Sequence, residues 1–244
     1  DKAVDYRTRS LLAVPVLWQG EPLGVLEAVN KRENRSFTEI DQRYLELLAA
    51  QAAVALNNSV LVGRLQNFFN EAVELLIETL EMGDVISRSH LLEVARFAAE
   101  MARYLKLSEP EMERLTYAGM LHDLGKIRVS DPEDPAHAEA GGQILSRFRI
   151  FADIAPIVRH HHERYDGSGF PDGLKGEQIP HLARLLSLAE SWVEELAQVG
   201  PEGRSQLMDS IRQRFRTWFD PGLRQAFEYA TEVLRPGAPK SSEG

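Results

Sequence analysis

The chain has 244 residues, 43% hydrophobic and 27% charged, with a formal net charge of −9 and no cysteine. That size fits one large or two modest domains; the acidic balance excludes a long nucleic-acid polymer as partner; without thiolates, any metal must be held by nitrogen and oxygen. No apolar run approaches membrane-spanning length and no signal peptide opens the chain, so the reading is cytoplasmic, and the start at Asp1 reads as a fragment of a longer protein.

In chain order, the first segment predicts two strands around a turn at Gln19–Gly24. Leu12, Val14, Val16 and Trp18 alternate in the first strand, and Val25, Glu27 and Val29 share one parity in the second. Pro15 favours an edge or irregular strand. Thr38 followed by Asp41 is a helix-start signature, and the helix it opens carries Ile40, Leu45, Leu48 and Ala52 on an apolar period. The period barely pauses through Val60, Leu65, Phe68, Ala72, Leu75 and Leu80, which predicts a connecting rod or a dimer seam. From Ser87 onward the chain reads as helical. Ser108 and Glu111 form a capping box for a helix ending near His122, while Asp134-Pro135 and Asp220-Pro221 each pair an N-cap with a first-turn proline. Pro201–Phe215 and Pro221–Leu234 read as closing helices. The tail RPGAPKSSEG has too little apolar surface to fold and is expected to be disordered. There is no internal repeat.

Six of the seven histidines fall in three places: His90; His122-Asp123 with His137 after it; and the triplet His160–His162. Neighbours on a helix project about 100° apart, so an adjacent pair rarely serves one ion equally. Pairs such as His122-Asp123 and His161-His162 therefore suit a two-metal centre in which Asp123 bridges. Two ions about 3.5–4 Å apart can activate a shared water and neutralise charge in phosphoryl chemistry. Lys126 lies one turn beyond His122, placed for a phosphate oxygen, and a small phosphorylated ligand is compatible with the net charge. A sulfur-free ligand set favours iron or manganese over zinc. Each element alone has a plainer reading as a helix end, a surface charge or a tight turn, and the combination carries the argument. His160 reads as the spare member of its triplet. Glu163 reads either as a partner of a ligand histidine or as a surface charge.

HDLGK at His122–Lys126 and HHERYDGSGFP at His161–Pro171 resemble the paired signatures of the HD-GYP domain, a branch of the HD phosphohydrolases. SRSHLLEVA around His90, HAEAGGQIL from His137 and IPHLARLLSLAE up to Glu190 extend the resemblance over roughly Leu80 to Leu234. It implies an all-helical domain that binds two or three iron or manganese ions and hydrolyses cyclic di-GMP to pGpG or GMP. Carried over by position, the metal ligands are His90, His122, Asp123, His137, His161, His162 and Glu190, with Asp123 and Lys126 catalytic. Asp166, Gly167, Gly169, Phe170 and Pro171 form the motif loop. A glutamate that completes a three-metal site in some members is Ile86 here, which favours two ions. Separately, TRSLLAVPV, GEPLGVLEAVNK, SFTEID and AAQAAVALNN resemble the closing half of a GAF domain, whose opening strands are absent.

The implied organisation is α+β overall: a partial α/β GAF-like segment at 1–59, a helical linker at 60–82, an all-α HD-GYP domain at 83–234 and a tail at 235–244. A homodimer through the GAF-like part and linker helix follows from the half sheet and the long helix. Four departures bear on activity. Glu190 stands where the family has aspartate, and Phe170 where it has tyrosine. Only fourteen positions separate Asp123 from His137, and SWVEELAQVGPEG lacks a second aspartate, with Val193 in its place, and an Arg-Pro-Tyr-Arg-like segment. Arg128, Arg159 and Arg164 are the arginines available to replace the latter. The leading expectation is a metal-dependent cyclic di-GMP phosphodiesterase. The alternatives are a regulatory module that binds metal, nucleotide or a GGDEF-type partner without turnover, and a phosphohydrolase of another nucleotide.

Overall fold

The computed structural model describes residues 7–82, 86–131 and 134–235. Residues 83–85, at the expected start of the helical domain, and 236–244 of the expected tail lie outside them. The chain divides into two compact units, Asp1–Glu74 and Leu75–Gly244.

In the first unit, β1 (Leu11–Trp18) and β2 (Glu21–Val29) form an antiparallel two-stranded sheet. The turn is shorter than the sequence suggested. Gln19 and Gly20 alone make it, both at positive φ (53° and 90°), as a tight hairpin whose twist matches the strands requires. Residues 21–24 therefore belong to β2, and the register shifts between Val16 and Leu17. Val14 and Val16 point inward and pack with Ala49 and Ala53 of the following helix, flanked by Leu26 and Leu45. On β2 the covered parity is that of Leu26 and Ala28, so Val25, Glu27 and Val29 take the open face. Helix α1 (Glu39–Met82) starts where Thr38 and Asp41 exchange hydrogen bonds, Thr38 N–H and Oγ1 donating to Asp41 Oδ2 at 2.6 and 2.7 Å. By length and composition α1 also passes as a membrane-crossing candidate, with 11% of its most apolar window buried. This corrects the expectation that no run approaches that length: Gln51, Asn57 and Asn58 interrupt the apolar residues without adding charge.

The second unit is helical. Helix α2 (Arg88–Tyr104) is capped by Ser87 and buries Leu91, Val94, Phe97, Ala98 and Met101. Helix α3 (Glu109–Leu121) opens with the Ser108–Glu111 capping box and crosses α2 closely at Gly119, where a Cβ would lie 2.8 Å from Ala95 Cα. Helix α4 (Ala136–Leu145) begins one residue after Asp134-Pro135, with Asp134 Oδ1 accepting the Ala136 N–H at 2.9 Å. A short α5 (Ala155–Arg159) leads into the histidine triplet. Helix α6 (His181–Arg214) is broken at Gly200 (φ 68°), so the run expected from Pro201 is its second half. Asp220 caps a turn at Pro221–Leu223 that enters α7 (Arg224–Val233). Trp192 of α6 is the centre of the core, its ring 6.0 Å from Phe97 and 5.3 Å from Phe227, in the offset and edge geometries that aromatic quadrupoles prefer.

Candidate metal centre

The HD segment is not an α-helix continuation. After Leu121 the chain tightens into a 3-10 run, His122–Arg128, which packs against α4. Gly125 makes this possible: a Cβ there would lie 1.9 Å from His137 O and 2.5 Å from Gly141 N, so only glycine lets the two segments approach. The tighter winding also sets Lys126 over Asp123, Nζ donating to Oδ2 at 2.9 Å.

Three histidines have their tautomer fixed by their own segment. His122 Nδ1 faces Gly119 O at 2.8 Å, His137 Nδ1 faces Asp134 O at 2.8 Å, and His161 Nδ1 faces Val158 O at 2.5 Å. A carbonyl can only accept, so each Nδ1 carries the proton and each Nε2 keeps a bare lone pair. Those lone pairs converge. His122 Nε2 lies 3.6 Å from Asp123 Oδ2, His137 Nε2 lies 3.6 Å from Asp123 Oδ1, and His162 Nε2 lies 3.1 Å from His137 Nε2. His122 Nε2, His161 Nε2 and Asp123 Oδ1 are buried with no hydrogen-bond partner. Buried polar atoms are rarely left so, and lone pairs on three residues of one cluster fit the coordination of a cation.

The donor atoms form two triads, His90–His122–Asp123 and His137–His161–His162, each within 4.8 Å. Every residue expected as a ligand is therefore in this cluster: His90 on α2, His122 and Asp123 on the 3-10 run, His137 on α4, His161 and His162 after α5, and Glu190 on α6, with Oε1 at 3.7 Å from His122 Nε2. Burial pushes the pKa of His90, His122 and His137 down, that of His161 far down, and that of His162 to about 3, so all are neutral donors. Burial opposes ionisation of Asp123, but the neighbouring imidazoles and the Lys126 ammonium outweigh it and hold the carboxyl at about 2. Burial, then the Asp123 charge, push Glu190 well above the usual carboxylate range. The pocket is short of positive charge, and nitrogen and oxygen donors of this kind fit divalent cations.

The residues around the centre sort differently from expectation. His160 is outside it: Nδ1 faces Pro156 O and Nε2 faces Asp172 Oδ2, so both ring nitrogens are engaged away from the cluster. Glu163, 2% exposed, is neither a histidine partner nor a surface charge. Its two oxygens accept the Asp172 N–H at 2.7 Å and the Leu174 N–H at 3.0 Å, so it anchors the glycine-rich loop from inside. Sequence reasoning missed this role, because nothing in HHE distinguishes an acid aimed at a ring from one aimed at later amides. In the motif loop, Asp166 Oδ1 accepts the Ser168 N–H, Gly167 has φ 87°, and Gly169 has no room for a Cβ. Phe170, ahead of a cis bond to Pro171, alone of these five lays its ring on a histidine of the cluster, 4.9 Å from His162. Arg159 forks onto Asp172 at 2.9 and 2.8 Å and reaches Glu139 at 3.0 Å. Arg164 stacks on Trp218 at 3.6 Å, and Arg128 is exposed at the end of its run.

Residues 53–223 match the family model of the HD domain. The chain belongs to the HD-domain family. Its paired HDLGK and HHERYDGSGFP segments place it in the HD-GYP branch, and residues 1–56 match the GAF domain. The chain is similar to a cyclic di-GMP phosphodiesterase response regulator of Xanthomonas campestris pv. campestris, 32% identical over 222 residues, 77% of this chain and 58% of the relative. It is also similar to a cyclic di-GMP phosphodiesterase of Pseudomonas aeruginosa, 30% identical over 182 residues, 67% of this chain and 44% of the relative. A 3'3'-cGAMP-specific phosphodiesterase of Vibrio cholerae is 27% identical over 191 residues, 72% of this chain and 37% of the relative. The chain spans about half the length of the curated relatives it matches. A solved HDG"Y"P protein from Bdellovibrio bacteriovorus shares the fold, with a TM-score of 0.52 at 19% identity over 70% of this chain and 63% of that one.

Proposed function

We propose that this HD-GYP chain is a metal-dependent phosphodiesterase that hydrolyses cyclic di-GMP to pGpG or GMP, with two iron or manganese ions held by His90, His122, Asp123, His137, His161, His162 and Glu190. The observation that carries it is the set of partnerless buried lone pairs on His122, His161 and Asp123, in two triads that Asp123 faces with one oxygen each. The ions, when bound, supply an activated water and charge neutralisation at phosphorus. The chain supplies the rest. Asp123 stays ionised between the triads, Lys126 offers its ammonium to a phosphate oxygen, and Phe170 covers the His162 side of the site. The test is hydrolysis by protein purified without oxygen and loaded with iron or manganese, with 3'3'-cGAMP in competition. Turnover that disappears in His122→Ala and Asp123→Ala supports the reading; full activity in Asp123→Ala sinks it.

A second reading has its own observation. Two of the three arginines available to replace the absent nucleotide-holding segment are engaged, Arg159 with Asp172 and Glu139 and Arg164 on Trp218, and Val193 is buried where an acid is usual. A regulatory module that binds nucleotide, or a GGDEF-type partner, without turnover fits that trimming; tight nucleotide binding with no product would establish it.

The organisation that goes with either reading is a GAF-like part (1–59), a linker helix (60–82) and the HD-GYP part (83–234) in a cytoplasmic signalling protein, paired with a second copy along α1. Leu47, Val54, Leu61 and Phe68 support the pairing: they are exposed and recur every seven residues, the spacing that seats one helix against another.

A further inference from the structure

Glu190 belongs to neither triad, and its position explains why a glutamate stands there. Its Oε1 lies 3.7 Å from His122 Nε2 in the first triad and 3.7 Å from both His161 Nε2 and His162 Nε2 in the second. Donor atoms that share an ion at about 2.0–2.2 Å are roughly 2.8–3.6 Å apart at octahedral to tetrahedral angles. One oxygen is thus within a few tenths of an ångström of sharing distance to histidines of both triads at once. Asp123 has the same property by other means, with Oδ1 3.6 Å from His137 Nε2 and Oδ2 3.6 Å from His122 Nε2. The two carboxylates come from separate elements, the 3-10 run and α6.

We propose that Glu190 is a second bridging carboxylate, ligating both ions through its reach from α6, and not a terminal ligand of one. This rests on the two-ion reading above. An aspartate at this position of α6 would end one carbon–carbon bond, about 1.5 Å, short of the shared point and would serve one triad only. The added methylene converts a ligand of one ion into a tie between two. The pair is then fastened from two directions, which sets its spacing from the helical core and not from the loops that border the cleft.

The experiment loads the whole chain with manganese(II), counts ions per chain by elemental analysis and reads their exchange coupling by electron paramagnetic resonance. Wild type is expected to hold two coupled ions. Glu190→Gln keeps the shape of the side chain and removes one ligand oxygen; it should weaken both ions by at least about tenfold, since losing even an outer partner of a ligand costs 10–100-fold. Glu190→Asp should weaken one ion only and shrink the coupling. Melting of the metal-free variants checks that the fold persists. If Glu190→Gln weakens a single ion while the other titrates as in wild type, or Glu190→Asp leaves the coupling unchanged, Glu190 is terminal and the proposal falls. A wild-type chain with one ion, or an uncoupled pair, also overturns it. A coupled pair in a chain that hydrolyses no cyclic dinucleotide removes the phosphodiesterase reading and leaves the bridge standing.

Discussion

Glu163→Gln tests how the glycine-rich loop is held beside the histidine cluster. The wild-type side chain is 2% exposed and accepts two backbone N–H groups, from Asp172 and Leu174, one on each oxygen. A hydrogen bond to a charged acceptor contributes about 1.5–3 kcal/mol, and a neutral one about 1. Glutamine keeps one acceptor and turns an NH2 toward the other amide, so one bond becomes neutral and the second becomes donor against donor. The difference is a loss of about 2–5 kcal/mol, which for a unit of this size lowers its melting temperature by roughly 5–15 °C. Differential scanning calorimetry of the chelated protein reads the helical unit, and limited proteolysis reads the loop between Glu163 and Lys175. Accelerated cleavage in that loop should accompany the lower melting temperature. A change below about 0.5 kcal/mol, with unaltered cleavage, would refute the view that this carboxylate anchors the loop.

Gly125→Ala drives a Cβ to 1.9 Å from His137 O, so it should destabilise the helical unit by about 3 kcal/mol or more and lower metal content; near-wild-type melting would contradict the close approach. In the metal-free protein, burial keeps the histidines of the cluster neutral, His162 with a pKa of about 3, whereas unfolded imidazoles bind protons below about 6.5. Glu190, with its raised pKa, acts in the opposite sense, but five imidazoles outweigh one carboxyl. The unfolded chain therefore takes up more protons, and stability falls as the pH drops from about 6.5 toward 3; urea midpoints of chelated protein that stay flat from pH 7 to 4 would contradict this. Leu61→Glu places a charge in the seven-residue row of α1 and should yield monomers in sedimentation analysis; an unchanged dimer, or a monomeric wild type, would dismiss that seam.

Local signals were legible where the chemistry is local. The Ser108–Glu111 box, the Thr38–Asp41 start and the Asp220 cap each follow from a side chain and an amide within three residues, and each formed. The residues that gather in the candidate centre could be picked out because imidazole and carboxylate pairs are conspicuous in a chain with only seven histidines. What depended on long-range packing was not legible. The covered parity of β2 is chosen by α1 and falls on Leu26 and Ala28, although valines at 25 and 29 look equally suited. The winding of HDLGK tightened because Gly125 had to meet α4, a partner eleven residues or more away. Glu163 reaches amides nine and eleven positions on, across a loop with no periodicity to mark where it returns.

The hydrogen bonds that orient His122, His137 and His161 all run to a carbonyl three residues earlier in the same segment. Each ring is aimed by its own turn of backbone before any other segment arrives. The entropy of aligning the imidazoles is thus already spent locally, and assembling the centre asks only that the segments dock. Insertions and deletions between the segments leave the aim of each ring untouched. Evolution can therefore shorten the connection from Asp123 to His137, or discard cleft-bordering stretches after Glu190, and alter what enters the site without dismantling what binds there.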